Sequence, residues 1–199
     1  MRQFVYFSSS AATSGNALSK YSESGGDLMK AGRMDIAIHS FIQGIFLSHD
    51  FRKDAKFHFV FYGMPDPPKH IEIQVKDETE ISKKDVGNII KKILYKYKEK
   101  QKTEVLPGCF VEKKSFLGVI EELMKQGNEI FILDKNGEDI RKTEIPKDCV
   151  FIIGDHEGLP KKELKRLKDS CKAVSVGNKM YFASQTVAVV NNELDYRNI

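Results

Sequence analysis

A chain of 199 residues, 41% hydrophobic and 30% charged, has the balance of an ordinary globular protein and is long enough for one domain to bury roughly 70% of its extended surface. Its formal charge of +4 is too mild to imply nucleic acid by itself, and no apolar run approaches the roughly 18 residues of a bilayer span. Cys109, Cys149 and Cys171 show no C-x-x-C spacing, which argues against a zinc knuckle or a disulfide framework and for reduced thiols.

The first element is a strand, "RQFVYFSS". The apolar stretch before its serines is shorter than the about 7–15 residues of a secretory core, so a cytoplasmic protein is expected. The polar, glycine-bearing "AATSGNALSKYSESGGD" follows as a loop. In "MDIAIHSFIQGIFLSH", Met34, Ile36, Ile38, Phe41, Ile42, Ile45 and Phe46 recur close to helical spacing. "KFHFVFYG" and "IEIQV" alternate like strands on either side of the turn-rich "MPDPPKH". From Ser82 to Lys102 runs a lysine-rich helix, with Val86, Ile89, Ile90, Ile93, Leu94 and Tyr97 as its inner face. Ser82 and Asp85 resemble a variant capping box at its start. Its exposed lysines suit either phosphates or simply water.

"PGCFVEK" is a strand, and Ser115 caps the helix "FLGVIEELMKQ", which stops at Gly127. Strands "EIFILD" and "CVFIIGD" follow, then the helix "PKKELKRLKDS" with Pro160 in its first turn. Strand "AVSVG" and a final helix, "ASQTVAVVNNELDYR", complete the chain. Alternating strands and helices predict a single α/β domain over residues 1–199, its sheet mostly parallel and flanked by helices.

Three strands in succession end in glycine-containing loops: Leu133 before "DKNGED", Ile153 before "GDHEG" and Val176 before "GNKMY". Ligands of open parallel sheets settle at the carboxyl ends of strands, and glycine lets a main chain approach a ligand closely. If the three ends are adjacent they form a pocket of peptide groups with apolar walls from Leu133, Val176, Met180 and Tyr181, suited to an adenine and ribose. Otherwise they are three ordinary turns. No G-x-G-x-x-G or G-x-x-x-x-G-K-[ST] is present, so little favours a phosphate-rich cofactor.

"FLSHDFRKD", "FYGMPDPP", "PGCFVEKKSF", "FILDKNGEDI", "FIIGDHEGLP" and "SVGNKMYFASQ" occur in one order along nearly the whole chain. Together they resemble the archaeal tRNA (pseudouridine(54)-N1)-methyltransferase family, TrmY, of the SPOUT superfamily. The resemblance implies S-adenosyl-L-methionine as cofactor, tRNA as substrate, a homodimer, and a carboxy-terminal trefoil knot that grips the cofactor. Carried over by position, the cofactor would meet Leu133, Gly154, Val176, Gly177, Asn178, Lys179, Met180, Tyr181 and Thr186. Archaeal relatives carry cysteine where this chain has Thr186. Gly154 would let the main chain approach the cofactor, while Asp155 and His156 face the substrate or fix the loop.

Under that resemblance the ring N–H of pseudouridine N1 needs a group to share or take its proton, and nitrogen, methyl and sulfur need alignment. "SHDFRKD" offers Asp50, Arg52 and Asp54, with Asp50 ahead of Asp54 as the carboxylate at N1; "GRMD" adds Arg33 and Asp35. Arg33, Arg52, Lys83 and Lys84 are expected to contact the RNA, arginine's forked donors suiting phosphate or a base carbonyl. The same acids and arginines could instead pair with one another. His49, Asp50, Asp155 and His156 lack an H-x-x-x-H spacing, and methyl transfer needs no metal, so no metal is expected. His39 and His58, in apolar segments, are expected in the core or an interface. Two rival functions remain: an RNA-binding or dimeric scaffold of the same fold without turnover, and an α/β enzyme using another nucleotide.

Overall fold

The computed structural model describes residues 1–23, 28–167 and 169–199. Eight strands, β1 (Arg2–Ser8), β2 (Ala55–Phe61), β3 (Lys69–Ile73), β4 (Thr103–Leu106), β5 (Cys109–Glu112), β6 (Glu129–Asp139), β7 (Cys149–Gly154) and β8 (Lys172–Ser175), form one sheet. Their order is β4-β5-β3-β2-β1-β7-β6-β8. The five from β2 to β8 run parallel, while β3, β5 and β4 are antiparallel. The antiparallel part follows from short connections: the turn between β2 and β3 is too brief for a crossover. Gly108, at φ +75, closes the β4–β5 hairpin.

Six helices cover the sheet: α1 (Gly15–Glu23), α2 (Met34–Ile45), α3 (Val86–Tyr95), α4 (Phe116–Lys125), α5 (Lys161–Leu167) and α6 (Ala183–Arg197). β1 is buried along its whole length because its alternate residues face two cores. Phe4 and Tyr6 join α2, α3 and α6 on one face. Val5 and Phe7 join Phe116, Ile120 and Leu167 of α4 and α5 on the other. This two-sided burial explains the unbroken apolar runs of the central strands.

Several expected boundaries are corrected. The polar stretch after β1 contains α1, whose Leu18 is buried; residues 24–27 of that stretch, like residue 168 of the α5 segment, lie outside the described residues. The lysine-rich helix is only Val86–Tyr95, and Asp85 makes no side-chain cap. Its carboxylate accepts instead from Asn88 at 2.7 Å. The chain then turns into β4, a strand hidden in sequence by its polar composition. α2 stops at Ile45, since Phe46 bridges back to Phe51. β6 runs on through "DKNGED" with an irregularity between Leu133 and Glu138 and pairs again with β8. Gly137 permits this, for a Cβ there would lie 2.5 Å from the Val174 nitrogen. Ser115 does cap α4, accepting from Gly118 N at 3.1 Å. His58 is buried as expected, but His39 is exposed.

From edge strand β8 the chain returns across the sheet to lay α6 on α2. Gly44 makes the approach possible: a Cβ there would stand 2.7 Å from the Phe57 ring and 3.6 Å from Val187. Asn191 donates to the carbonyls of Gln43 (2.9 Å) and Gly44 (3.2 Å). Arg2, 5% exposed, donates to Asn191 and Asp195 from the first strand. Arg52 donates to both Asp195 oxygens at 2.6 Å. Arg197 donates to the carbonyls of Ile140 and Thr143 at 2.7 Å. The last helix is thus tied to the first strand and to the β6–β7 connection.

Burial works against the Asp195 charge, but the hydrogen bonds and charges of Arg52 and Arg2 outweigh it and hold the carboxyl below its ordinary value. A depressed carboxyl contributes stability above its unfolded pKa and loses it as pH falls through the folded one. Asp195→Asn is therefore expected to cost about 1 kcal/mol at neutral pH, kept small by the carboxylate's exposure. Urea titrations at decreasing pH should show the variant and wild type converging below the ordinary carboxylate range.

Candidate functional site

The carboxyl ends of β6, β7 and β8 lie side by side and open into a cavity of about 790 Å³, a size suited to a nucleoside-like ligand. Ile132 and Leu133 enter it from β6, Ile153 and Gly154 from β7, and Val174 and Val176 from β8. Gly177, Lys179, Met180, Tyr181 and, from the first turn of α6, Thr186 form the far wall. Asn178 is exposed outside it. The start of α2 closes the opposite side with Arg33, Asp35, Ile36 and His39. The three glycine-bearing exits therefore form one chamber and are not separate turns.

Local sequence explains each wall. Gly177 sits at φ +153, a conformation that favours glycine, and its N–H donates to Ser175 Oγ at 3.2 Å. α6 begins where Gln185 Oε1 accepts from Phe182 N at 3.0 Å. The Thr186 hydroxyl donates to the Phe182 carbonyl at 3.2 Å, so its side chain is committed to its own helix. Gly154 is needed by the loop it opens. The chain folds back so that a Cβ would lie 2.4 Å from the Gly158 carbonyl carbon, and Gly158 takes φ +81.

Asp155 fixes that loop. Its Oδ2 accepts from Ser8 Oγ (2.7 Å) and Ser9 N (3.1 Å), and its Oδ1 from Glu157 N (2.9 Å). His156, exposed, faces the cavity. The abrupt polar exit of "FIIGDHEG" is thus a buried carboxylate tying the end of β7 to the end of β1.

Arg33 is the conformationally costly residue of the site. It stands at φ 58 before α2, directly after Gly32 at φ 73. A Cβ on Gly32 would collide with the Ser10 carbonyl at 1.8 Å. A left-handed non-glycine residue costs on the order of 1 kcal/mol and tends to mark functional positions. Arg33 donates Nε to Asp35 Oδ1 (3.1 Å) and Nη2 to Oδ2 (3.0 Å). Burial opposes the Asp35 charge, yet the Arg33 hydrogen bonds and charge prevail and hold the carboxyl below its ordinary value. Beneath them Tyr6 neighbours Ile153 across the β1–β7 pair. Its hydroxyl is buried without a hydrogen-bond partner. Burial first, then the charges of Asp155 and Asp35, push its pKa far up, so it stays a neutral donor.

The expected catalytic trio is not brought to this cavity. Asp50, Arg52 and Asp54 precede β2, whose first residue is level with Arg2 and Cys149 at the amino ends of the strands. One strand length, roughly 20 Å, separates them from the carboxyl ends. Asp50 accepts from Phe51 N at 2.8 Å, Arg52 is held by Asp195, and Asp54 pairs with Arg2 at 3.0 Å. Lys83 and Lys84 are exposed, and Lys83 donates to the Ser48 carbonyl beyond the far end of α2. Of the four expected RNA contacts, only Arg33 lines the cavity. Sequence reasoning passed over His39, whose place three residues after Ile36 and four after Asp35 puts all three on one helical face. It also passed over Leu159 and Leu164, which close the cavity beside α5.

The family model described as "Putative SAM-dependent RNA methyltransferase" matches residues 1–199. The chain is 32% identical to a tRNA (pseudouridine(54)-N(1))-methyltransferase of Methanococcoides burtonii, over 98% of this chain and 96% of that protein. A protein of the same name from Methanocaldococcus jannaschii is 31% identical over 100% of this chain and 98% of its own. Among solved structures, Archaeoglobus fulgidus Nep1 bound to S-adenosylhomocysteine shares the fold with a TM-score of 0.64. It is 13% identical, and the match covers 100% of this chain and 99% of that one.

Two substitutions test buried groups beneath and beside the cavity. Asp155→Ala removes the acceptor of Ser8, Ser9 and Glu157 and should lower stability by about 1–3 kcal/mol, with faster amide exchange confined to residues 154–158 and the end of β1. Tyr6→Phe removes a buried hydroxyl that has no partner and should leave thermal stability equal or higher; a large loss of stability would show that the hydroxyl is paired in solution.

Proposed function

The chain belongs to the SAM-dependent RNA methyltransferase family, and on that premise we propose that it methylates N1 of pseudouridine 54 in tRNA, with S-adenosyl-L-methionine as donor. The observation that carries this reading is the meeting of three strand ends and the Arg33–Asp35 pair in one cavity. The residues present fit the donor. Leu133, Ile153 and Val176 offer apolar walls to an adenine, and the strand ends bring peptide groups to its edge. S-adenosylmethionine supplies a methyl carbon already activated on sulfur, whose bond electrons return to sulfur as the new N–C bond forms.

The protein's task is then alignment and care of one proton. Of the carboxylates lining the cavity, Asp35, Asp134 and Asp155, we assign Asp35, kept ionised by Arg33, to accept the N1 hydrogen. Arg33 brings a planar guanidinium, a group suited to a base carbonyl or a phosphate, to the same wall of the cavity. Asp35 thus takes the place first expected of Asp50. Asp50, Arg52 and Asp54 could serve chemistry only at the cavity of a partner chain.

Lys135 and Lys179 line the cavity, and α5, which brings Leu164 to it, carries the exposed Lys161, Lys162, Lys165 and Arg166. Cations so placed suit phosphates flanking a base turned out of its loop. A carboxy-terminal trefoil knot is supported by the path of the chain. It leaves edge strand β8, passes the cavity, and buries α6 against α2 with Arg197 holding the β6–β7 connection. A homodimer is supported by Met180 and Phe182, two residues apart and 79% and 76% exposed, apolar surface of the kind that marks protein interfaces. One sheet shared by both cores supports a single domain over residues 1–199. Work on tRNA fits a cytoplasmic protein, and among the described residues no helix is long and apolar enough to cross a membrane.

Mass spectrometry of pseudouridine-containing tRNA incubated with protein and donor should show the gain of one methyl. Asp35→Asn should lower turnover by about 10²-fold or more while calorimetry finds donor binding retained. Thr186→Cys should leave donor affinity essentially unchanged, because the native hydroxyl is already spent on Phe182. Donor uptake with no methylation of any tRNA would return the protein to the scaffold reading.

A further inference from the structure

On the α4 face of the sheet, away from the cavity, two imidazoles meet in the interior. His58 of β2 and His70 of β3 are 2% and 4% exposed, and His58 Nδ1 stands 3.0 Å from His70 Nε2. The two rings lie within 13° of one plane, with centroids 5.2 Å apart. Rings whose nitrogens are 3.0 Å apart reach that centroid distance only when they point nitrogen to nitrogen, so the two lone-pair axes are nearly in line.

The hydrogen-bond chain on either side fixes which nitrogens carry hydrogen. Asn128 Nδ2 donates to the Leu123 carbonyl at 2.9 Å, an acceptor that cannot donate, so Asn128 Oδ1 is the acceptor for Gln3 Nε2 at 2.9 Å. Gln3 therefore turns its oxygen to His58 Nε2 at 3.0 Å, and His58 Nε2 must be an N–H. Its Nδ1 is then left with a lone pair. On the other side His70 Nδ1 lies 3.0 Å from Glu112 Oε1. Burial opposes the Glu112 charge, but His70 and Lys114 outweigh it and bring the carboxyl down to about 2, so it is an acceptor only. His70 Nδ1 must also be an N–H. In two neutral rings, Nδ1 of His58 and Nε2 of His70 would then be two bare lone pairs facing each other in the core.

We propose that His58 and His70 bind one proton between them, so that the folded protein holds a buried imidazolium on His70, donating to His58 on one side and to Glu112 on the other. Burial first, and the charge on His70 next, hold the His58 imidazole well below its ordinary range, which leaves His70 as the ring with both hydrogens. A metal ion fits less well: Glu72 is near enough to complete a three-ligand group with both histidines, but a tetrahedral ion needs the two ring axes to converge at an angle, whereas these are in line. Both Glu72 oxygens are moreover occupied, by Lys56 at 3.1 Å and Lys102 at 2.7 Å.

The surrounding charges are closely matched. Lys56 of β2 and Lys102 before β4 face Glu72 of β3, while Lys114 before α4 pairs with Glu112 of β5 and with Glu122 of α4. The proton joins β1, β2, β3 and β5 through one line of hydrogen bonds from Asn128 to Glu112. A proton held by the folded pair and not by the unfolded chain stabilises the fold, and its release removes the central link of that line.

The test is nitrogen-detected NMR of the histidine rings in full-length protein freed of metal with a chelator, at about pH 8, where an ordinary histidine is neutral. The expected result is one ring with both nitrogens protonated and a second with a single protonated nitrogen, joined by an N–H···N coupling. Glu112→Gln should move the loss of that proton to lower pH, and urea stability of the wild type should fall with rising pH more steeply than that of the variant. Two singly protonated rings at that pH in the wild type would overturn the proposal. So would stoichiometric uptake of zinc by the chelated protein that changes both ring spectra. The ring spectra of the wild type decide the matter even if the variant fails to fold.

Discussion

The packing of the last helix onto the second is the contact on which the rest of the molecule depends. It exists because Gly44 lacks a side chain, which lets Val187 and the Phe57 ring close over it, and because Asn191 reaches the two carbonyls beside it. Without that seat the chain after β8, an edge strand, would have no reason to return across the carboxyl ends of its neighbours. The segment from Val176 to Thr186 would leave the cavity open on one side. The buried guanidinium of Arg2 then links the returning helix to the first strand, so the two ends of the chain hold each other. Arg52 and Asp54, which read in sequence as chemistry-bearing groups, serve this closure through Asp195 and Arg2.

Rigid holding and local cost divide the site between them. Asp155 accepts hydrogen bonds on both oxygens from the end of β1 and its own loop, so this wall of the cavity is held by a buried carboxylate. Arg33 and Tyr6 are the opposite case. One carries a left-handed backbone at the mouth of α2, the other a hydroxyl with no partner beneath it. Both are features that packing alone would remove. They meet at the Arg33–Asp35 pair, where the fold keeps a strained backbone and an unpartnered hydroxyl that packing does not require.

Sequence patterns found the elements whose neighbours are implied by their own composition. β7 is a near-unbroken apolar run and β1 carries one through Phe4–Phe7, because both faces are covered, while β2 alternates. α4 announces itself through Ser115 and its periodic apolar face. α1 reads as a loop because its sequence, GNALSKYSE, is polar with few apolar positions, and β4 because it is an edge strand of four residues. The three glycine-bearing exits were visible as three separate signals. Their adjacency was not, since β6, β7 and β8 are neighbours only through the order of the sheet.

The sequence by itself therefore determined the class of fold, the strands that would be central, and, through the ordered set of motifs resembling one methyltransferase family, the kind of ligand to look for. These are properties of local periodicity and composition, which each segment carries wherever it is placed. Only the tertiary structure decided which acids line the cavity. Asp35, in the first turn of α2, and Asp50, shortly after its end, are equally polar. They belong to opposite ends of a parallel sheet because strand direction, set by contacts between distant segments, sends one to the carboxyl ends and the other to the amino ends. The proton between His58 and His70 is of the same kind: neither histidine implies it, and it arises only because cross-strand register sets two ring nitrogens face to face in a place water does not reach.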